Sequence, residues 1–491
     1  MTARIAVVLD GPPTPAWQAQ ALEGLGAIAD IEIVEVRLAG PVRSSRTRRL
    51  RHALERHFFP GSPDALAHVE VRESSGAGAD AALTVWLSER PAAAGGSDDL
   101  VWLRHGGVDG PSEDAFARAL AGGLASLESE VMLRRQGEVL VSARTVSEVR
   151  SFSETLSRTM ALWKLAGIVP RAVERLPGLA QAASESQERA PRPPRGGALL
   201  ARAAAAALRA VVVRLLYRRP WSIRVRRRGA AALRAWGADE GLVRWREGHI
   251  YADPILFEHD GRHHLFCEEI PRGSRRGVIS HTELRPGGAP ADPPECVLSA
   301  PCHLSYPFVF ADGEQVFMIP ETSALGRVEL YRAIAFPHRW EPDTVLLDGL
   351  DATDATMARH DGRLWLFVSV AAPHASSLDE LHLFWADALR GPWHPHPLNP
   401  VVSDARCARP AGPVQRWGER LVRPGQDGSR RYGWAVSLRE IDVLSTTAYA
   451  EHEIERIEPG DVRGARATHT YASDSRFEAI DLRRRRLRLR R

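Results

Sequence analysis

Cysteine is scarce in this chain. The four present among 491 residues, Cys267, Cys296, Cys302 and Cys407, show no paired CxxC spacing, which excludes a disulfide framework and a cysteine-built zinc site. Lysine is rarer still: Lys164 is the only one, so basic roles fall to arginine and histidine. No GxGxxG follows the first apolar run and no GxxxxGK(S/T) occurs anywhere, which removes the two standard phosphate-cradling loops. No metal or cofactor is expected. The opening stretch Met1–Leu9 runs straight into a strand pattern without a charged, apolar, cleavable leader, so a cytoplasmic setting is the expectation. The formal net charge is +4, yet Arg483 to Arg491 hold seven arginines, and without them the remainder carries −3. The basicity therefore sits in a tail at 485–491, where peripheral contact with a membrane is conceivable and no specific nucleic-acid motif is present.

What the sequence does contain is a repeat. Ala252-Asp253-Pro254-Ile255-Leu256-Phe257 leads to Asp260-Gly261 and His264-Leu265-Phe266. Tyr306-Pro307-Phe308-Val309-Phe310 leads to Asp312-Gly313 and Val316-Phe317-Met318. Asp354-Ala355-Thr356-Met357 leads to Asp361-Gly362 and Leu364-Trp365-Leu366-Phe367. Asp-Gly between short apolar runs signals a hairpin, because a type I′ turn needs positive φ at both central residues. A hairpin repeat of roughly 50 residues is the pattern of a propeller blade. A fourth copy runs from Arg409 through Gly418 and Leu421-Val422-Arg423 to Ser437, and a fifth through Thr468-His469-Thr470-Tyr471 to Asp481. Trp221 to Arg226 alternates with period two and is placed to close the ring from the N-terminal side.

Before the repeats, residues 1–147 read as a small α/β domain. Its strands are expected at Ile5–Leu9, Ile31–Val36, Leu83–Leu87, Leu100–Leu103 and Val139–Ser142, with a helix over Ala16–Leu25. Residues 148–218 read as a helical and low-complexity linker. It comprises a helix over Phe152–Leu165, a Pro/Gly/Ser/Glu stretch over Gln181–Gly197, and an alanine-rich helix over Ala198–Tyr217. Arg202, Arg209 and Arg214 argue against a bilayer span for the last and leave a packed helix or one lying flat on a membrane. The propeller is assigned to 219–484.

Several strings of the repeat region resemble the N-terminal domain of plant glucosamine inositolphosphorylceramide transferases and its bacterial relatives. They are Tyr251-Ala252-Asp253-Pro254, His303-Leu304-Ser305-Tyr306-Pro307, Met318-Ile319-Pro320-Glu321-Thr322-Ser323, Asp351-Ala352-Thr353-Asp354-Ala355-Thr356, Asp379-Glu380-Leu381-His382-Leu383-Phe384, Ala408-Arg409-Pro410-Ala411-Gly412 and Ser429-Arg430-Arg431-Tyr432-Gly433. The resemblance covers about 220–484. It implies an all-β five-bladed propeller shaped like the arabinanase, xylosidase and fructosidase enzymes, in a setting of polysaccharide or glycolipid biosynthesis. The first 147 residues are similar to the degenerate formyltransferase-like, Rossmann-like α/β domain found before this propeller in bacterial relatives. Of a formyltransferase's Asn, His and Asp, only His105 stands near the expected strand end, so a structural or binding role is expected there.

Aligned on their openers, the five blades place Asp253, Tyr306, Asp354, Arg409 and His469 equivalently; the second strands end in Glu268-Glu269, Pro320-Glu321, Ser369, Gln426-Asp427 and Asp481. Glycoside chemistry needs two carboxyl groups, roughly 5–5.5 Å apart for retention and about 6.5–9.5 Å for inversion. Asp253, Glu321 and Asp354 are the candidate catalytic acids. Glu269, Tyr306, Arg409, Asp427, Arg430 and His469 are the candidate substrate-binding residues, the arginines because their forks match phosphate or carboxylate. Two readings follow: a glycosidase-like or glycosyl-transferring protein, or a non-catalytic glycan-binding module assisting a partner glycosyltransferase.

Overall fold

The structure, a computed structural model, describes residues 2–40, 46–58, 63–75, 81–90, 99–176, 217–218, 220–229, 245–484 and 486–487, with scattered positions between 201 and 236. The Gln181–Gly197 linker lies outside the described residues, as do all but a few positions of 198–217 and of the 485–491 tail. The chain divides into two compact units. The first is Met1–Ala210 with Ala372–Ser376; the second is Val211–Ala371 with Ser377–Arg491. Among the described residues no helix is long and apolar enough to cross a membrane.

In the first unit, the near-continuous apolar runs of Ala3–Leu9 and Leu83–Trp86 make central strands buried on both faces. Ala3–Leu9 lies parallel to Ile31–Leu38 on one side and to Leu83–Trp86 on the other, and Leu83–Trp86 lies parallel to Leu100–His105. Ser126–Arg135 and Glu138–Glu148 extend this sheet antiparallel, so it is mixed. The helices are α1 (Ala16–Gly26), α2 (Arg46–Phe58), α3 (Ser112–Gly122) and α4 (Glu154–Glu174). The expected strands and first helix are present, whereas α2, α3 and the Ser126–Arg135 strand went unread. One expectation needs correcting: the helix begun at Phe152 is not linker. Ser153 Oγ caps α4 by accepting from Leu156 N at 3.1 Å, and Leu162, Leu165 and Val169 sit in the same core as Ile5, Val7 and Val85. The first unit therefore runs past residue 147. A mixed sheet with these helices establishes an α/β unit and no finer likeness. His105 is buried, with Nδ1 2.8 Å from Ser129 Oγ, and burial pushes its pKa down to about 4.

The second unit is a five-bladed β-propeller. Four blades are four-stranded meanders or slightly larger, starting at Ile250, Ser305, Ala352 and Gln415. The fifth is built from both ends of the unit: Trp221–Arg227 pairs antiparallel with Phe477–Arg483, which pairs with Tyr471–Ser473. Closure by the N-terminal strand thus occurs as expected, and its register sets Trp221 opposite Arg483 and Arg227 opposite Phe477. Asp260-Gly261 and Asp361-Gly362 have positive φ at both residues, as their hairpins require; in blade two, positive φ falls on Gly313 alone.

Closure makes the strand from the N-terminal side structural. Ile223 is buried against Leu265, Phe477 and Ala479. Ile223→Ala is expected to destabilise the propeller by about 2–5 kcal/mol, read as a lower denaturant midpoint in tryptophan fluorescence. An unchanged midpoint would show that the ring does not depend on this strand.

Candidate functional site

Each of the first three blades carries the same irregularity. The inner hairpins skip register between Ala252 and Ile255, Ser305 and Phe308, and Thr353 and Thr356. At each skip one residue has positive φ: Asp253 at 51°, Tyr306 at 45° and Asp354 at 55°. Such bulges re-aim a side chain and persist only where surroundings hold them. Here the holding groups are polar and run from blade to blade. Asp253 N donates to Asp481 Oδ2 (3.3 Å), and Asp253 Oδ2 accepts from Tyr306 N (3.3 Å). The Tyr306 hydroxyl lies 2.8 Å from Thr356 Oγ1 and accepts from Gly412 N at 2.7 Å. Tyr471 N donates to Ala411 O at 2.8 Å, returning the chain of bonds to blade five.

Around this belt the charged groups gather. Arg409 Nε donates to Asp354 Oδ2 at 2.5 Å, and its Nη2 stands 3.8 Å from Glu321 Oε2. Glu321 is held by Ser305 Oγ (3.1 Å) and Ser323 Oγ (2.6 Å). Asp253 Oδ1 accepts from Thr470 Oγ1 at 2.9 Å and lies 3.8 Å from His469 Nδ1, which also pairs with Asp481. Burial raises the Asp253 carboxyl to about 7 despite His469, with Glu268, Asp354 and Asp481 adding like charge. Burial raises Asp354 to about 6, with Arg409 opposing and Glu321 reinforcing. His469 moves the other way from the one burial favours: Asp481 and Asp253 lift it to about 9. His303, half-buried, is raised by its hydrogen bond to Glu268, 3.1 Å away.

The structure brings together Asp253, Glu321, Asp354, Arg409 and His469. It sets the other expected binding residues elsewhere. Glu269 faces away from its neighbour Glu268 because side chains alternate along a strand; it is buried against His249 Nδ1 (2.6 Å), Tyr251 OH (3.1 Å) and Ser280 Oγ (2.6 Å). Tyr306 is buried as a cross-brace, both hydroxyl bonds being taken up by the belt. Asp427 accepts from Ser429 N and Oγ (2.9 and 2.6 Å) and pairs with Arg456. Arg430 is exposed over Trp434, 5.1 Å from its ring, and Arg423 binds Glu451 in the blade interior at 2.6 Å. Of Arg409, Arg423 and Arg430, only Arg409 reaches the group. Glu380 is buried, with His382 Nε2 4.0 Å from its carboxylate.

Glu268 and Asp481, expected at second-strand ends, and Thr470, Trp221 and Tyr432, which were not among the candidates, complete the arrangement. Trp221 stacks on the His469 ring at 4.1 Å and 11°, and Tyr432 meets it edge-on at 5.2 Å. Tyr432 is 42% exposed overall, yet Arg409 lies 5.4 Å over its ring and its hydroxyl feels Asp253, Asp354 and Glu268. Gly433 marks the spot: a Cβ there would lie 2.9 Å from Trp221 and 3.0 Å from His469, at a φ of +65°. Asp253, His469 and Asp481 offer ligand atoms within 4.8 Å of one another. The two carboxylates favour the charged form of His469, and the three side chains form a buried ion-paired triad.

With this geometry in hand, the chain was compared with known proteins. Residues 246–483 match the family model described as "Glucosamine inositolphosphorylceramide transferase 1, N-terminal". Glucosamine inositolphosphorylceramide transferase 1 of Arabidopsis thaliana is 32% identical over 212 residues, covering 42% of this chain and 27% of that protein. Its counterpart in Oryza sativa subsp. japonica is 33% identical over 206 residues, covering 41% and 28%. The match thus spans little more than a quarter of these curated relatives, and it falls on the propeller. Among solved structures, a family 117 glycoside hydrolase of Zobellia galactanivorans aligns with a TM-score of 0.35 and 11% identity, over 54% of this chain and 90% of that one. The catalytic domain of a Coprinopsis cinerea GH62 alpha-L-arabinofuranosidase gives 0.36 and 12%, over 53% and 97%. At such scores the blade count rests on the sheet pairings themselves.

The raised groups set a pH dependence. Folded Asp253 keeps a proton that the unfolded chain releases near pH 3.8, so its contribution to stability falls as pH climbs from about 4 to 7. His469 contributes fully below pH 6.5, and that contribution is lost as pH rises through about 9. Urea midpoints across pH 4–9 are therefore expected to decline less steeply in the lower window for Asp253→Asn and in the upper window for His469→Gln. Parallel profiles for wild type and both variants would contradict the assignment.

Proposed function

We propose that the propeller is a carbohydrate-active domain whose central acids take a sugar ligand, in the assembly of a polysaccharide or glycolipid. The observation that carries this reading is the meeting of two buried acid pairs, Asp354 with Glu321 on Arg409 and Asp253 with Asp481 on His469, with Asp354 adding like charge to Asp253. Burial raises both carboxyls, and the Arg409 guanidinium bonded directly to Asp354 favours its ionised form, whereas Asp253, 3.8 Å from His469 and beside Glu268 and Asp481, is the one placed to keep a proton. A protonated and an ionised carboxyl in one site is the division of labour that cleavage or transfer of a glycosidic bond requires. Asp253 is assigned as the proton donor and Asp354 as the base or nucleophile, with Glu321 and Arg409 fixing the latter. The names of the plant relatives speak of glucosamine transfer to inositolphosphorylceramide, and a sugar is what we extend to this chain.

The charge balance narrows the ligand. Asp253, Glu268, Glu321, Asp354 and Asp481 face Arg409, His469 and His303, an excess of acids over bases. A neutral or amino sugar suits this site better than the phosphorylated sugar that an arginine cluster would have implied.

One observation favours the runner-up, a glycan-binding module that assists a partner glycosyltransferase. Both Asp253 oxygens accept bonds from the protein, and Asp354 is bridged by Arg409, so the acids also serve the ring. Trp221 and Tyr432 would then supply the contact surface.

Glycan-array binding together with turnover of nitrophenyl-glycoside and nucleotide-sugar panels separates the two. The enzyme reading expects turnover reduced about 10²-fold or more in Asp354→Asn, with binding of the same sugar retained. Binding without turnover in the wild type would support the module; neither binding nor turnover on any panel member would remove both.

A further inference from the structure

Helix α2 is built inside out. Among its described side chains, Arg51 and Glu55 are buried, whereas Leu50 and Leu54, one turn apart, are 59% and 41% exposed. An amphipathic helix of a globular unit ordinarily does the reverse, turning its apolar stripe inward.

The orientation is fixed by what the buried side meets. Arg51 Nη2 pairs with Glu154 and lies 3.7 Å from Glu113 Oε1, and its Nε is 3.9 Å from Glu55 Oε1. Glu55 Oε2 accepts from Ser153 Oγ and from Thr155 N, each at 2.8 Å, at the start of α4. Arg158 reaches Glu89 at 3.3 Å and Glu113 at 3.9 Å in the same network. Turning the leucines inward would strand these charges, at a cost well above that of two exposed leucines. The outward face is therefore a set feature of the fold.

That face is basic as well as apolar. Arg46 and Arg49 are exposed beside Leu50, Ala53 and Leu54, with His57 at the far end; Glu55, the only acid of the helix, is turned inward. Leucines flanked by arginines on one side of a helix match the boundary of an anionic bilayer, with apolar groups entering the acyl region and guanidinium groups at the headgroups. We infer that α2 docks the protein on an anionic lipid surface through Leu50, Leu54, Arg46 and Arg49. This proposal rests on the first unit alone and stands or falls apart from the sugar site.

The test is vesicle co-sedimentation of the full chain, comparing wild type with L50Q/L54Q and with R46Q/R49Q. The arginine tail is common to all three, so differences among them report α2. The proposal expects wild type to pellet with phosphatidylglycerol-containing vesicles and not with pure phosphatidylcholine. L50Q/L54Q should lower the partition coefficient about tenfold or more, and R46Q/R49Q should lower it and weaken its salt dependence. Because all four side chains are exposed, melting curves of the variants should match wild type; should the leucine pair misfold, the arginine pair carries the test. Equal partition of wild type and both variants, no binding to anionic vesicles, or equal binding to neutral ones would overturn it. So would a wild-type dimer that L50Q/L54Q converts to monomer without lipid, which would give the face to a second copy.

Discussion

The propeller is tied together by buried hydrogen bonds that join blade five to one, one to two, two to both three and four, and four back to five. From Asp481 the bonds run to Asp253, then to Tyr306, from its hydroxyl to Thr356 and Gly412, and through Ala411 and Tyr471 back to blade five. Sheets in a propeller otherwise touch through apolar side chains, which are indifferent to small slides. These polar links are directional and costly to leave unpaired in a buried place, so they fix the angular register of the blades they join. Everything at the axis inherits its position from that register, including the pairing of Arg409 with Asp354.

The same interior has to carry charge. Burying acids without partners would drive them all to the neutral form. Arg409 and His469, drawn from the two blades whose openers are not acidic or tyrosine, divide the acids into two groups: Asp354 with Glu321, and Asp253 with Asp481. The opener positions thus act as a set in which blades four and five supply the counter-ions for blades one, two and three.

The repeats were legible because turn chemistry and strand alternation are local. Asp260-Gly261 and Asp361-Gly362 declare their turns in two residues, and Trp221–Arg226 announces a strand in six. Opener equivalence was legible too, since it follows from counting back from those turns. What failed was the step from strand to face. Glu268 and Glu269 are adjacent, and a one-residue choice of register sends one to the axis and the other between Tyr251 and Ser280. Arg409 and Arg430, both candidates for binding, have separate fates, as does Arg423 between them, because each sits on a different element or face of blade four. Trp221 and Tyr432 were out of reach for another reason: their meeting at His469 joins residues more than two hundred positions apart, and only the glycine at 433 hinted at a close approach.

The left-handed backbone at Asp253, Tyr306 and Asp354 has a consequence for how such a protein can change. In most sites a side chain's aim is a matter of rotamer, and replacing the residue loses the aim. Here the aim is set in the main chain, at three matching kinks of the inner strand. Each kink behaves as a socket: whatever residue tolerates the conformation is delivered to the axis. The presence of tyrosine in one socket and aspartate in two shows that the frame accepts unlike chemistry without altering its geometry. A ring of sockets of this kind lets the centre of the propeller be rewritten one blade at a time while the surrounding sheets stay as they are.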